Sequence, residues 1–401
     1  MSLESQIKEA FERHADDVRP SGDVWPQVQR RIARSHQRRV VASGAGFAAL
    51  LIAAIVVALP RLSSDPEFLD PTPGPTPAAI VAPELRVVKT LSGTRTELFT
   101  GEVALDPQRD LLFVGEQHEG GDQLEFRVRI IDAKTLELVR YIGPGSIRAV
   151  DPVRGYAYLG SSTIVDGEVR TTLEVFESGS GRRVASLPVG DERPELAVDA
   201  AKGRAYVAYG GKVYVYDATS FRILRTFDFG ITPGQLTIDE ASQVLVSVKG
   251  ESFTIQLIDP ETGKTTDVTG YEPPKQIGPV IAANGGVFAT AVGDYLGSDL
   301  AVFRTDGSGP AWKIHVARRL GVPAVDHAQR LVFDAINDLT DSEFTSPNDA
   351  PDVVEVRSLA TGEILGSVEV PEGPVALTID REDRRLYVVA LLDNAVIALA
   401  Y

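Results

Sequence analysis

From Glu84 onward, apolar and polar residues alternate in short runs, and each run ends in turn-forming residues. An alternation of period two predicts strands with one buried face. The runs recur. VALDPQRDLLFVG, RAVDPVRGYAYLG, LAVDAAKGRAYVA and LTIDEASQVLVSV each carry an apolar strand into Asp106, Asp151, Asp199 or Asp239, then a turn, then a second strand. IAANGGVFATAV (Asn284), PAVDHAQRLVFDA (Asp326) and LTIDREDRRLYVV (Asp380) continue the series, at spacings of 45, 48, 40, 45, 42 and 54 residues. A later turn closes a third strand in IIDAKTLELV, VYDATSFRIL, LIDPETGKTT and VRSLATGEIL. A repeat of this length with four strands predicts one blade of a β-propeller, and seven anchors predict seven blades. The expected fold is therefore all-β, a seven-bladed propeller of four-stranded antiparallel blades over 84–401.

The chain ends predict how the ring closes. Segments 375–380, 385–391 and 395–400 supply only three strands of the last blade. ELRVVKTL, 84–91, precedes the first anchor and is strand-like, so it is expected to complete that blade and cover its open edge. The units GDERPELAVDAAKGRAYVAYGGKVYVYDATSFRIL and EGPVALTIDREDRRLYVVALLDNAVIAL resemble YVTN-family β-propeller repeats. That resemblance covers about 84–401 and implies a seven-bladed propeller. It implies little about activity, since propellers host binding, scaffolding and catalysis alike.

Ahead of the repeats the pattern changes. Val40 to Leu59, VVASGAGFAALLIAAIVVAL, is uncharged, and as a helix its 20 residues would span ~30 Å, the thickness of a bilayer core. Arg30, Arg31, Arg34, Arg38 and Arg39 precede it, while Asp65, Glu67 and Asp70 follow. The positive-inside rule then predicts a single-pass cell-membrane anchor over 40–60, N-terminus in the cytoplasm and propeller outside. A cleavable signal peptide fits less well, because the preceding 39 residues exceed that pattern. Residues 61–83 contain six prolines and are expected to form an extended spacer. In the tail, 1–39, apolar positions at Leu3, Ile7 and Phe11 and again at Trp25, Val28 and Ile32 predict two short amphipathic helices. DVWPQVQRRIARSHQRR resembles juxtamembrane segments of bacterial anti-sigma-factor-like membrane proteins, without their zinc-binding His/Cys signature.

Composition narrows the chemistry. There is no cysteine, which excludes disulfides, thiolate metal sites and cysteine nucleophiles. A net charge of −16 argues against a nucleic-acid partner. The tail carries a net +2 and the membrane segment none, so the remainder holds −18. The Asp residues that recur once per unit are read as turn-formers. Candidate binding residues lie instead where connections between blades and loops between second and third strands meet one face. These are Arg95, Arg148, Arg193, Lys275 and Arg318, with Asp338, Asp341, Glu343 and Asp349 from the insertion 337–352. Long loops are also expected at 115–125, 160–170 and 292–299. The face they build is expected to meet a protein, an envelope polymer or a small ligand. No cofactor is expected, although the oxygens of 337–352 could hold Ca²⁺. A lactonase-like site would need axial His, Arg or carboxylates, and only His118 and His315 could approach one. The expected function is non-catalytic binding or sensing. The alternatives are a transmembrane regulator whose tail contacts a sigma factor or other cytoplasmic partner, and a propeller hydrolase.

Overall fold

The computed structural model describes residues 83–401, apart from 95, 121–122, 166–167, 191, 231, 250–253, 271–279, 295–296, 317 and 338–350. The tail, the 40–60 segment with its flanking arginines Arg30, Arg31, Arg34, Arg38 and Arg39, and the linker up to residue 82 lie outside the described residues. Among the described residues no helix is long and apolar enough to cross a membrane.

Seven antiparallel sheets follow one another along the chain. Blade 1 is Glu97–Asp106, Leu111–Gly120, Gln123–Asp132 and Leu138–Ile142. Blade 2 is Ser146–Asp151, Tyr156–Val165, Glu168–Glu177 and Arg183–Gly190. Blade 3 is Glu195–Asp199, Arg204–Tyr209, Lys212–Asp217 and Ile223–Asp228, and blade 4 is Pro233–Asp239, Val244–Lys249, Thr254–Ile258 and Thr265–Asp267. Blade 5 is Val280–Asn284, Val287–Asp294, Gly297–Arg304 and Pro310–Val316. In blade 6 the first strand is split into Arg319–Leu320 and Ala324–Asp326, ahead of Leu331–Asn337, Val353–Ser358 and Ile364–Glu369. The split falls at Gly321, where an added Cβ would stand 2.7 Å from the Val375 carbonyl, and at Pro323, which has no N–H for the ladder.

Blade 7 combines Pro374–Asp380, Arg385–Ala390 and Ala395–Ala400 with Arg86–Ser92 as its outermost strand. The expected closure is observed, with Arg86 opposite Ala400 and Ser92 opposite Ala395. Asn394 fastens the seam. Its side chain accepts from Phe99 N at 2.8 Å and donates to Thr94 O at 3.0 Å and Glu97 O at 2.8 Å.

The core is a ring of layers between neighbouring blades. Tyr158, Leu173, Val175 and Leu187 of blade 2 pack on Leu196, Ala205, Val207 and Tyr216 of blade 3. Phe333, Val354 and Val356 of blade 6 pack on Leu386, Val388, Ile397 and Leu399 of blade 7. Strand alternation makes this possible, since each sheet buries both faces against its neighbours.

The recurring aspartates are structural, as expected. Asp106, Asp151, Asp199, Asp239 and Asp326 are fully buried. Asp151 Oδ1 accepts from Arg154 N, and its Oδ2 holds the Arg154 guanidinium, whose Nη1 also donates to Ala200 O in blade 3 at 2.8 Å. Arg109 does the same from Asp106 to Pro152 O at 2.7 Å. Four residues after each aspartate the chain is left-handed, at Asp110, Gly155, Gly203, Gln243, Arg330 and Arg384.

The loops expected at 115–125, 160–170 and 292–299 are not loops. The flanking strands run on as hairpins to Gly120 opposite Gln123, Val165 opposite Glu168 and Asp294 opposite Gly297. Charged residues persist in these strands because they pair across them: Glu116 stands opposite Arg127.

Candidate functional site

The first strand of each blade lies innermost. Three of them bring charge together. Arg193, in the connection into blade 3, donates through Nη2 to Glu102 Oε1 at 2.9 Å. Arg148, on the first strand of blade 2, places Nη1 3.5 Å from the same oxygen. Blades 1 and 3 flank blade 2, and their charges meet beside its innermost strand. Glu195 opens the first strand of blade 3 beside both arginines.

Local backbone and small residues shape the cluster. The inner strand of blade 1 bulges between Phe99 and Val103, with Gly101 at φ 77°. Two glycines leave room for the side chains. A Cβ on Gly160 would sit 2.9 Å from Arg148 Nε, and one on Gly115 would sit 3.0 Å from Glu102 Oε2. Arg148 and Glu102 keep only 11 % and 20 % of their side-chain surface, and Arg193 keeps 42 %. Burial pushes Glu195 up to about 7, with Arg148 and Arg193 opposing the rise, and burial also lowers Arg148. Arg148 Nε and Glu102 Oε2 are buried and have no hydrogen-bond partner. Arg148 thus keeps an unused donor and Glu102 an unused acceptor, the two roles that a peptide group or a side-chain amide can satisfy.

Of the predicted site residues, the structure joins Arg148 and Arg193. Arg318 lies elsewhere. It donates to Pro351 O at 2.9 Å and to Asp352 Oδ1 at 2.6 Å, and so ties down one root of the 337–352 insertion. The other root is held by Asn337 Nδ2, which donates to Pro374 O at 2.7 Å. Arg95, Lys275, Asp338, Asp341, Glu343 and Asp349 lie outside the described residues, and with them the expectation of Ca²⁺. Among the described residues no group of three or more His, Asp or Glu is placed to hold a metal ion. His118 is on the second strand of blade 1 and His315 on the fourth of blade 5, so neither sits on the inner strands that build the axial cluster.

The sequence reading missed Glu102 and Glu195. Both stand four residues before their repeat aspartate, where Ile147 and Ala376 stand in blades 2 and 7, and that break in an apolar pattern was the available signal.

A second charged group, in blade 1, satisfies itself. Glu116 is fully buried and accepts from Arg127 Nε at 2.6 Å and Arg129 Nε at 2.5 Å. Glu97 accepts from Nη2 of both arginines at 2.9 Å, and Arg127 lies 3.7 Å over the Tyr141 ring. Its closed network marks it as structural.

Solved structures share this architecture. The structure of U3-55K matches with a TM-score of 0.60 and 11 % identity, covering 79 % of this chain and 98 % of that one. The RRP9 WD40 repeats match with a TM-score of 0.60 and 11 % identity, covering 79 % and 97 %. The Pan2 WD40 domain of Neurospora crassa matches at 0.56 and 12 %, covering 80 % and 97 %. The fold is a seven-bladed propeller with WD40 neighbours. No protein-family model and no curated protein matches the sequence.

Proposed function

We propose that this chain is a non-catalytic binding propeller that meets a protein partner at the channel mouth formed by Glu102, Arg148, Arg193 and Glu195. The observation that carries the reading is the unused donor and acceptor on Arg148 and Glu102, buried where charges from three blades meet. Buried polar atoms are costly to leave unpaired, so a partner that completes them gains affinity and specificity. A WD40-type fold supports the same reading, and one neighbour is a chain of the Mitotic Checkpoint Complex, at 10 % identity and a TM-score of 0.57. The YVTN-like repeats support membership of that propeller family, and the uncharged stretch 40–60 behind its arginines supports a membrane-anchored, extracytoplasmic propeller.

Affinity capture with the full chain from membranes of the source cells tests this. Wild type should retain a partner that Arg148→Gln/Glu102→Gln retains at least tenfold less. Equal recovery by the two would refute the axial mouth as the docking point. A second reading makes the chain a transmembrane regulator, and it draws on the arginine-rich segment before residue 40, which resembles anti-sigma-factor-like proteins. A sigma factor recovered by full-length chain but not by one lacking residues 1–39 would favour it.

A further inference from the structure

Strand register brings out two departures from the common blade. One is internal. Where the other blades carry Val114, Leu159, Val207, Ser247, Thr290 and Val388, blade 6 carries Asp334. At a second row, where the others are again uncharged, it carries Arg357, whose Nε donates to Asp334 Oδ2 at 3.3 Å. Asp334 is fully buried and Arg357 nearly so, and the pair belongs to the core.

The other departure is on the surface, in blade 2. In blade 1 the first strand accompanies the second as far as His118, opposite Glu97, and the hairpin ends soon after at Gly120. In blade 3 the first strand reaches Ala208, next to the hairpin's end at Tyr209. In blade 2 it begins only at Ser146, opposite Gly160, while the second strand runs on to Val165. Residues 161–165 therefore pair with Glu168–Thr172 alone, as a two-stranded arm that outruns its inner strand. At ~3.3 Å per residue the overhang is roughly 16 Å long.

The inner edge of this arm has no backbone partner among the described residues. Along a strand, the backbone groups of alternate residues point to the same edge. The Gly160 carbonyl points toward the inner strand, since a Cβ on Gly145 would lie 2.6 Å from it. Two and four residues on, Ser162 and Ile164 turn their N–H and C=O groups to that same side, where no strand accompanies them. Ser162 and Thr163 are exposed. The sequence does not guard the edge either. Ser161-Ser162-Thr163-Ile164-Val165 favours strand and contains neither proline nor charge, the devices that keep an edge from pairing.

A row of backbone donors and acceptors at strand spacing is satisfied as a set by another extended backbone. The foot of the arm adjoins the charged cluster, because Arg148 Nε packs against Gly160. We propose that the protein partner docks by adding an extended segment as a strand along 161–165, its end reaching the Glu102, Arg148 and Arg193 cluster. The inference rests on the reading of this chain as a protein-binding propeller and gives that reading its binding mode. Main-chain bonds supply affinity to such an added strand, and its alternate side chains supply specificity.

Extended peptides displayed on phage and selected on the full chain are the probe, with binding of the synthetic peptides followed by fluorescence anisotropy. Ser162→Pro/Ile164→Pro removes two N–H donors from the open edge, a place where proline is tolerated, and should bind the peptides at least tenfold more weakly. Ser162→Thr/Ile164→Val keeps both donors and should bind like wild type. Where the double proline variant loses its β-sheet spectrum, Ser162→Pro alone should show the same loss. Residue-level hydrogen exchange gives a second measure. The amides of Ser162 and Ile164 should exchange faster than that of Thr163 in the free chain, and at least tenfold more slowly with peptide bound. Failure to select a saturably binding peptide, undiminished binding by the proline variant, equal losses in both variants, unchanged exchange, or an edge already closed by a second copy of the chain would each overturn the proposal. Because Arg148→Gln/Glu102→Gln leaves the edge intact, a failure at the axis and a failure here are separate results.

Discussion

Glu195 holds its proton to about pH 7 in the folded chain, against 4.5 for an ordinary glutamate, because burial disfavours its charged form. Between those values the folded state binds more protons than the unfolded one. Its contribution to stability is therefore full below about pH 4.5 and is lost as pH rises toward 7. Glu195→Gln should melt close to wild type at pH 4 and gain on it at pH 8, as followed by circular dichroism. The same offset at both values would contradict the assignment. The residue-level chemistry was partly legible in the sequence. Arg148 and Arg193 stand near the connections between blades, and they do meet on Glu102. Glu102 was hidden because the bulge at Phe99–Val103 breaks the alternation that would show which way it points. Asp334 and Arg357 were hidden differently. Each looks like an ordinary surface charge until the blades are laid in register, and only then does each stand where its counterparts are uncharged.

At the level of elements, the strands and turns follow a local grammar that the sequence states openly. An aspartate at the end of the first strand and a left-handed residue four places on recur in six blades, Asn284 with Gly285 and Gly286 stands in their place in blade 5, and seven blades follow from counting them. Hairpin length was less legible, because Glu116 reads as a loop charge when its partner across the sheet, Arg127, is unknown. One side chain adds to the seam's backbone ladder. Asn394→Ala should remove three hydrogen bonds and strain the left-handed backbone at φ 49°, lowering the urea unfolding free energy by about 3–5 kcal/mol. Asn394→Gly keeps the conformation and should lose about 1–2 kcal/mol less. Equal losses for the two would show that backbone geometry contributes nothing there.

For the whole molecule, all seven sheets, with Arg86–Ser92 as the sealing strand, lie within 83–401. A chain starting at Pro83 should therefore keep the β-sheet spectrum and melt within a few degrees of full length. A chain starting at Gly93 leaves Ala395–Ala400 uncovered, and should melt several degrees lower and self-associate through that edge. Should both fragments melt alike, the first strand would be dispensable. The order of synthesis gives this seam a further meaning. Arg86 is synthesised more than three hundred residues before its partner Ala400, an interval of roughly 15–60 s at about 5–20 residues per second. Throughout that interval the earliest strand has no partner. Sealing of the last blade is consequently a terminal event of translation, and a product cut short by even one strand leaves Arg86–Ser92 and the edge of Arg385–Ala390 unpaired, a natural target for quality-control proteases.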